Sequence, residues 1–456
     1  MPTHPAPEPR LLRVLTLWDL VFYGIVLIQP IAAVPLFGIA DKLSRGHVVT
    51  TILIAMIAMM LTAFSYGRMA TAYPAAGSAY TYVGRELNSH LGFLTGWAMM
   101  LDYLVIPIIN TIYGALTLVR LFPGVPYVFW AAMIAAIITY LNLRGIRSTA
   151  RSNIVLLVVM CAVIGTFAIL AVHYLVHANG VKALFSIHPF YDPGTTDFSS
   201  IATATSLAAL TYIGFDGITT LSEDVKNPKR NVLLATVLVC LFTGLFSGVE
   251  VYLAQRVWPD WHSFVNLETA FMDVCQRVGG MPLFQAMGLI LILAAIGSGL
   301  TGGLGAARLL FGMGRDEVLP KRFFAHLSKG SNTPTYNIVL IGIIAAMGAI
   351  GLNYIGNAYE HAGELLNFGA FLAFMGVNLS TFWHFCVVTR GKRRMRILGD
   401  IVVPLTGFVF CALIWWNLNQ LAKLAGGLWF AAGLIYIAVT TKGFRMAPKQ
   451  IDFSES

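Results

Sequence analysis

Charge is what this chain has least of. Only 11% of its 456 residues are Asp, Glu, Lys or Arg, against 57% hydrophobic. Soluble domains carry about 25% charged residues. A chain this long with so few charges cannot cover a water-facing surface. That excludes an ordinary cytosolic enzyme, a disordered scaffold and a nucleic-acid binder. The formal net charge of +9 does not restore the last, because the basic residues gather in loops. Cysteine is sparse as well. Cys161, Cys240, Cys275, Cys386 and Cys411 are far apart, odd in number and free of any CxxC pair, so neither a disulfide framework nor a zinc site is supported. No metal or other cofactor is expected. The chain has no Walker A lysine loop, which disfavours an ATP-driven pump, and no paired His/Glu or Ser/His constellation for an enzyme. Gly297-Ser298-Gly299-Leu300-Thr301-Gly302 matches GxGxxG, but it sits in a long apolar run without a βαβ context. Close helix packing through small residues is its reading.

What the sequence does hold is long apolar runs. A helix needs about 20 apolar residues to cross a bilayer core. Twelve stretches qualify: 17–40, 47–66, 91–119, 126–143, 153–177, 200–222, 231–255, 282–312, 334–354, 364–388, 399–418 and 425–441. They are continuously apolar rather than alternating, which excludes a β-barrel. The expected fold is all-α: a polytopic membrane protein of 12 transmembrane helices. The polar, Pro-rich start is followed by no A-x-A cleavage site, so the first span reads as retained. With the N-terminus inside, about 23 of the 30 Lys and Arg fall in cytoplasmic segments and about 7 outside. This is the bias of the positive-inside rule; one missed span would destroy it. Both termini are therefore expected in the cytoplasm, and the basic run Arg390 to Arg396 reads as a solvated loop.

Two spans are interrupted. The first reads Ile28-Gln29-Pro30-Ile31-Ala32-Ala33-Val34-Pro35-Leu36-Phe37-Gly38, and its prolines remove backbone donors. The sixth reads Thr211-Tyr212-Ile213-Gly214-Phe215-Asp216-Gly217, a carboxylate between two glycines. Kinked helices alone would account for either. The two breaks, however, lie five spans apart, and five is odd, so spans 1–5 and 6–10 would have opposite topology. Paired broken helices in an inverted repeat point to a secondary-transporter site at the midplane.

Several segments carry a resemblance. Tyr73-Pro74-Ala75-Ala76-Gly77-Ser78-Ala79-Tyr80-Thr81-Tyr82, Gly214-Phe215-Asp216-Gly217, Ser222 to Arg230 and Gly312 to Pro320 resemble the loops of the amino acid–polyamine–organocation transporter superfamily. Gln29-Pro30, Gly96-Trp97, Leu101-Asp102-Tyr103-Leu104 and Asn367-Phe368-Gly369-Ala370 look most like its bacterial putrescine-importer branch. The resemblance implies a LeuT-like five-plus-five inverted repeat with broken helices 1 and 6. It divides the chain into a cytoplasmic tail (1–16), a ten-helix transport core (17–388), a basic loop (389–398), two further helices (399–441) and a second cytoplasmic tail (442–456). It places the protein in a bacterial inner membrane. The implied partners are a small-molecule substrate and the bilayer, with no nucleic acid and an oligomeric state left open.

Charge narrows the substrate. An amino acid brings a carboxylate, which relatives hold on free N–H groups at a Gly-rich break in helix 1. Here Pro30 and Pro35 have no N–H, Ile31 and Val34 are bulky, and Ala32 and Ala33 remain as donors. A diamine wants acids, carbonyls and aromatic faces instead. Asp216 in the sixth span and Asp102, about eleven residues into the third, supply the acids. An Asp at a helix centre costs about 2.5–3.5 kcal/mol on insertion scales, so it usually marks a pathway or a paired charge. The candidate site is Gln29, Asp102, Tyr103, Tyr212, Gly214, Phe215 and Asp216, with Asp102 and Asp216 also as proton carriers. A helix cap for Asp216 and an internal hydrogen bond for Asp102 are the structural alternatives. Trp97 is a further aromatic candidate, Glu223 a weaker acid, and Glu250 an acid without a role. In proton-coupled relatives a lysine on helix 5 occupies the position that falls here at Met160, which neither titrates nor binds sodium well. The expected function is potential-driven import of a small organic cation, putrescine first. An amino acid/proton symporter or an amino acid/amine exchanger is the alternative.

Overall fold

The computed structural model describes residues 15–73, 78–145, 150–222, 225–315, 318–328, 333–391 and 394–448. Its helices, in chain order, are α1 (Leu17–Ile28), α2 (Phe37–Leu43), α3 (Val48–Ala72), α4 (Ser78–Glu86), α5 (Ser89–Leu121), α6 (Tyr127–Leu143), α7 (Ala150–Asn179) and α8 (Phe198–Ala208). Two 3₁₀ segments, Ala209–Tyr212 and Phe215–Leu221, follow α8. Then come α9 (Pro228–Val257), α10 (Ala270–Arg315), α11 (Lys321–Phe324), α12 (Thr335–Ile355), α13 (Ala358–Trp383), α14 (Val403–Trp416) and α15 (Gln420–Thr440). Among the described residues the only extended pairing is one bridge, Leu15 to Val225.

Among the described residues, ten helical stretches are long and apolar enough to cross a bilayer, two fewer than the sequence reading expects. The difference has a physical origin in both places. The first apolar stretch is split into α1 and α2, and neither piece reaches 18 residues. α6 is apolar but has 17 residues. The eighth stretch is longer than its expected start at 282: α10 begins at Ala270 and bends at Gly280, whose φ of 64° leaves the helical region just before Pro282.

The first span breaks for local reasons. Thr16 and Asp19 form a capping box that starts α1, with Thr16 N–H donating to Asp19 Oδ2 at 2.8 Å. At the other end Gln29 turns to φ +70°, and Pro30 offers no N–H to carry the helix on. Residues 30–36 form turns before α2 resumes. The sixth span breaks at Gly214, where φ is +113°, a conformation that side chains with a Cβ rarely adopt. The two breaks meet. A Cβ on Gly24 of α1 would lie 2.6 Å from Ile218 Cδ1 and 2.7 Å from Val239 Cγ2, so any larger residue would have to displace these side chains for α1 to lie on the second 3₁₀ segment and α9. On α13, a Cβ at Gly369 would overlap the Ala98 carbonyl oxygen of α5.

One buried ion pair ties the last helices to the core. Arg68 of α3 reaches Asp400, which is 0% exposed, at 2.7 Å, and the Arg396 N–H donates to the same carboxylate at 2.7 Å. Arg68→Met takes away the cation and keeps the bulk. Removing one partner of such a pair costs about 3–5 kcal/mol. The purified variant in detergent should therefore unfold at a clearly lower temperature than wild type; an unchanged midpoint would show that the remaining partners of Asp400, the Arg396 N–H among them, suffice.

Candidate functional site

Asp216 is the second residue of the 3₁₀ segment that follows the Gly214 break. The backbone N–H groups of Gly214, Asp216 and Gly217 bear on its carboxylate. Two hydroxyls occupy neighbouring carbonyls: Thr219 Oγ1 donates to Asp216 O and Thr220 Oγ1 to Gly217 O, each at 2.7 Å. This fixes the turn and leaves the carboxylate half-buried. Its charge reaches Asp102 and Tyr103 on α5, Tyr23 on α1, Tyr66 on α3, Tyr82 on α4 and Cys240 on α9. Groups on five helices thus surround one acid.

The structure brings together Asp102, Tyr103 and Asp216 of the sequence-derived set, with Gly214 and Phe215 beside them along the chain. Asp102 is half-buried, and its Oδ1 has no hydrogen-bond partner among the described residues. Tyr103 is 37% exposed and Tyr23 38%, so the site reaches the surface between α1 and α5. Phe37 and Phe271 are buried and meet edge to face at 5.6 Å, and Tyr113 and Tyr359 pack at 5.2 Å.

Other members stand differently. Gln29 is half-buried at the α1 break and points Nε2 at Ala294 O, 3.5 Å away. Tyr212 is 0% exposed and donates its hydroxyl to Ile52 O at 2.8 Å, which braces the break against α3. Phe215 is buried between Tyr66 and Phe374, with ring centroids 5.4 and 5.2 Å away. Trp97 stacks on Trp429 at 5.2 Å, and each indole N–H donates to the other's carbonyl at 2.9 Å. It joins α5 to α15 instead of lining the site. Met160 is 1% exposed. Glu223, Pro74 to Gly77, and the Asp316-Glu317 pair lie outside the described residues. Tyr23 and Tyr66 are additions that sequence reasoning missed. Only the i, i+7 placement of Tyr23 before Pro30 hints at the first.

The α1 break has few donors left for an anion. The Ala32 N–H goes to Gln29 O at 3.2 Å and the Val34 N–H to Ile31 O at 3.1 Å. Pro30 and Pro35 have none, and Ile31 and Ala33 are buried. The small residues of α10 pack as the sequence suggests: Asn110 on α5 donates to Ser298 Oγ at 3.0 Å, and a Cβ on Gly305 would touch Tyr103.

Residues 15–440 match the family model described as amino acid permease. The low-affinity putrescine importer PlaP of Escherichia coli is 34% identical over 441 residues, covering 96% of this chain and 95% of the relative. The branched-chain amino acid permease BcaP of Lactococcus lactis is 26% identical, covering 93% and 94%. A methylthioribose transporter of Bacillus subtilis is 26% identical, covering 95% and 94%. The chain belongs to the amino acid permease family of the amino acid–polyamine–organocation superfamily, and is a membrane transporter, not an enzyme.

Proposed function

We propose that this transporter imports putrescine, or a diamine of similar length, by alternating access. The observation that carries the reading is the pair of acids Asp102 and Asp216. They lie within electrostatic reach of each other, and among the described residues no basic side chain is among the groups acting on either. Two carboxylates left without a cation suit a ligand with two ammonium groups; Tyr103 and Tyr23 add aromatic faces. The shortage of free amides at the α1 break argues against an amino-acid carboxylate. The similarity to an importer of putrescine agrees with this.

The architecture we infer has twelve spans, counting the split α1–α2 span and the short α6. Its first five repeat inverted in the next five. Both termini face the cytoplasm of a bacterial inner membrane, as the basic loops suggest. The conformation is then open inward, with the site reachable past Tyr23 and Tyr103 and closed outward by Phe37 and Tyr113. The membrane potential is a sufficient drive. A dication entering a negative cell gains about 4.6 kcal/mol per 100 mV, a gradient of roughly two thousand-fold.

The test is labelled putrescine uptake into proteoliposomes with an imposed negative-inside potential, competed by lysine, ornithine and neutral amino acids. Potential-driven accumulation resisted by amino acids is the expected result. Uptake of an amino acid without putrescine would overturn the substrate assignment and leave the family standing.

A further inference from the structure

Most acids buried in this protein have visible partners. Asp400 has Arg68, and Glu364 accepts from Ser206 Oγ at 3.0 Å and from the Asn419 N–H. Glu86 faces His384 at 2.5 Å, Glu268 accepts the Tyr359 N–H at 2.7 Å, and Asp273 pairs with Arg120. Glu250 of α9 does not follow. It is 4% exposed, and neither carboxylate oxygen has a hydrogen-bond partner among the described residues. Asp41 of α2 shares that condition, but nothing polar on its own helix face connects it to the substrate acids.

Glu250 does have such a connection. Thr243, Ser247 and Glu250 are spaced by four and three residues, which puts them on one face of α9. Thr243 and Ser247 are buried like the acid. Cys240, three residues earlier, extends the stripe and lies within reach of the Asp216 charge. Ten residues of helix span about 15 Å. One polar face of α9 therefore runs from the surroundings of Asp216 to Glu250, which is itself seven residues, about 10 Å, from the Val257 end.

The groups facing Glu250 are few. Cys161 of α7 and Cys275 of α10 are within its electrostatic reach. From α1, α3 and the 3₁₀ segments no titratable or charged group acts on it among the described residues. Thiols do not neutralise a carboxylate. Burying a carboxylate without a donor or a cation is costly, and among the described residues no side chain supplies Glu250 with either.

We propose that Glu250 is a proton-binding site of the transport cycle, separate from the substrate acids, and that its proton is co-transported. This rests on the import reading above and adds an ion to it. With the outer end open, the Glu250 carboxylate takes a proton from external water and becomes the neutral acid. That acid is compatible with the buried setting seen here. When the packing around α9 loosens toward the inside, the O–H bond breaks, the proton passes to internal water, and the carboxylate is restored. No other atom or electron is exchanged.

The experiment uses the full-length protein, wild type and Glu250→Gln. Glutamine keeps the volume but binds no transferable proton. Proteoliposomes loaded with a pH-sensitive dye are given putrescine at a clamped potential, and internal acidification is recorded beside labelled uptake. The wild type should acidify the lumen with putrescine entry. In Glu250→Gln the protons moved per putrescine should fall more than tenfold, and Glu250→Asp should restore part of the ratio. A merely structural role would slow both fluxes together and leave the ratio alone. A second readout needs no substrate: the infrared carboxylic-acid C=O stretch of the purified protein should lose one component in Glu250→Gln. An unchanged flux ratio, or an unchanged infrared band, would overturn the proposal. A wild type that carries no putrescine yet shows the Glu250 band would instead count against the substrate assignment alone.

Discussion

Asp216→Asn should reduce putrescine uptake in proteoliposomes roughly thirtyfold or more, while the protein folds and inserts normally. Truncating one side of a desolvated charge contact costs about 2–5 kcal/mol, or roughly thirty- to several-thousandfold. The amide is the informative choice. If Asp216 only capped the 3₁₀ segment after Gly214, asparagine would serve nearly as well, since both are good caps. The N–H groups of Gly214, Asp216 and Gly217 that bear on the carboxylate would still find an acceptor in the amide oxygen. A capping role therefore leaves uptake near wild type, and a cation-binding role does not. Wild-type kinetics in this variant, with an unchanged melting temperature, would remove Asp216 from the substrate site. Reduced uptake with a lowered melting temperature would be ambiguous for asparagine alone, so Asp216→Glu serves beside it: restored charge should recover part of the rate.

Much of the architecture is legible in the sequence because it depends on local rules. Apolar run length marks the long helices. Gln29-Pro30 and Gly214 mark the breaks, since a missing N–H and a positive φ are properties of single residues. The close packing of the Gly297 to Gly302 stretch is equally readable: a Cβ on Gly299 or Gly302 would overlap Ile138 or Ile106. What the sequence could not show depends on partners far along the chain. Tyr212 and Trp97 look like wall aromatics in the sequence; whether a ring lines a site or braces a helix is decided by Ile52, 160 residues away from the first, and by Trp429, 332 residues away from the second. The same holds for the acids. Asp400 and Glu250 each sit in an apolar helix, and nothing near either one says that the first meets Arg68 while the second, among the described residues, has only thiols within electrostatic reach. The length of α10 was missed for another reason: its first turns, Ala270 to Gly279, carry Asp273, Gln276 and Arg277, which interrupt the apolar run without interrupting the helix.

Asp102→Asn separates a diamine site from a site for any amine. In the reading above, Asp216 takes one ammonium group and Asp102 the other. A hydrogen bond to a charged group contributes about 1.5–3 kcal/mol, so losing it should raise the KM for putrescine roughly 10- to 100-fold. The effect should fall on length discrimination too. A monoamine of the same chain length has no second ammonium to lose and should bind the variant about as well as it binds wild type. The preference for diamine over monoamine should therefore collapse toward unity, with KM carrying the change more than the maximal rate. The location of Asp102 supports this order of effects: its Oδ1 has no partner within the bundle among the described residues, so an amide there breaks no existing contact at that atom. Competition of labelled putrescine by butylamine, measured in wild type and variant, gives the ratio directly. If diamine and monoamine weaken equally, Asp102 acts on the bundle or on a proton and not on the distal ammonium, and the second cation contact has to be sought among the carbonyls of the α1 break and the faces of Tyr23 and Tyr103.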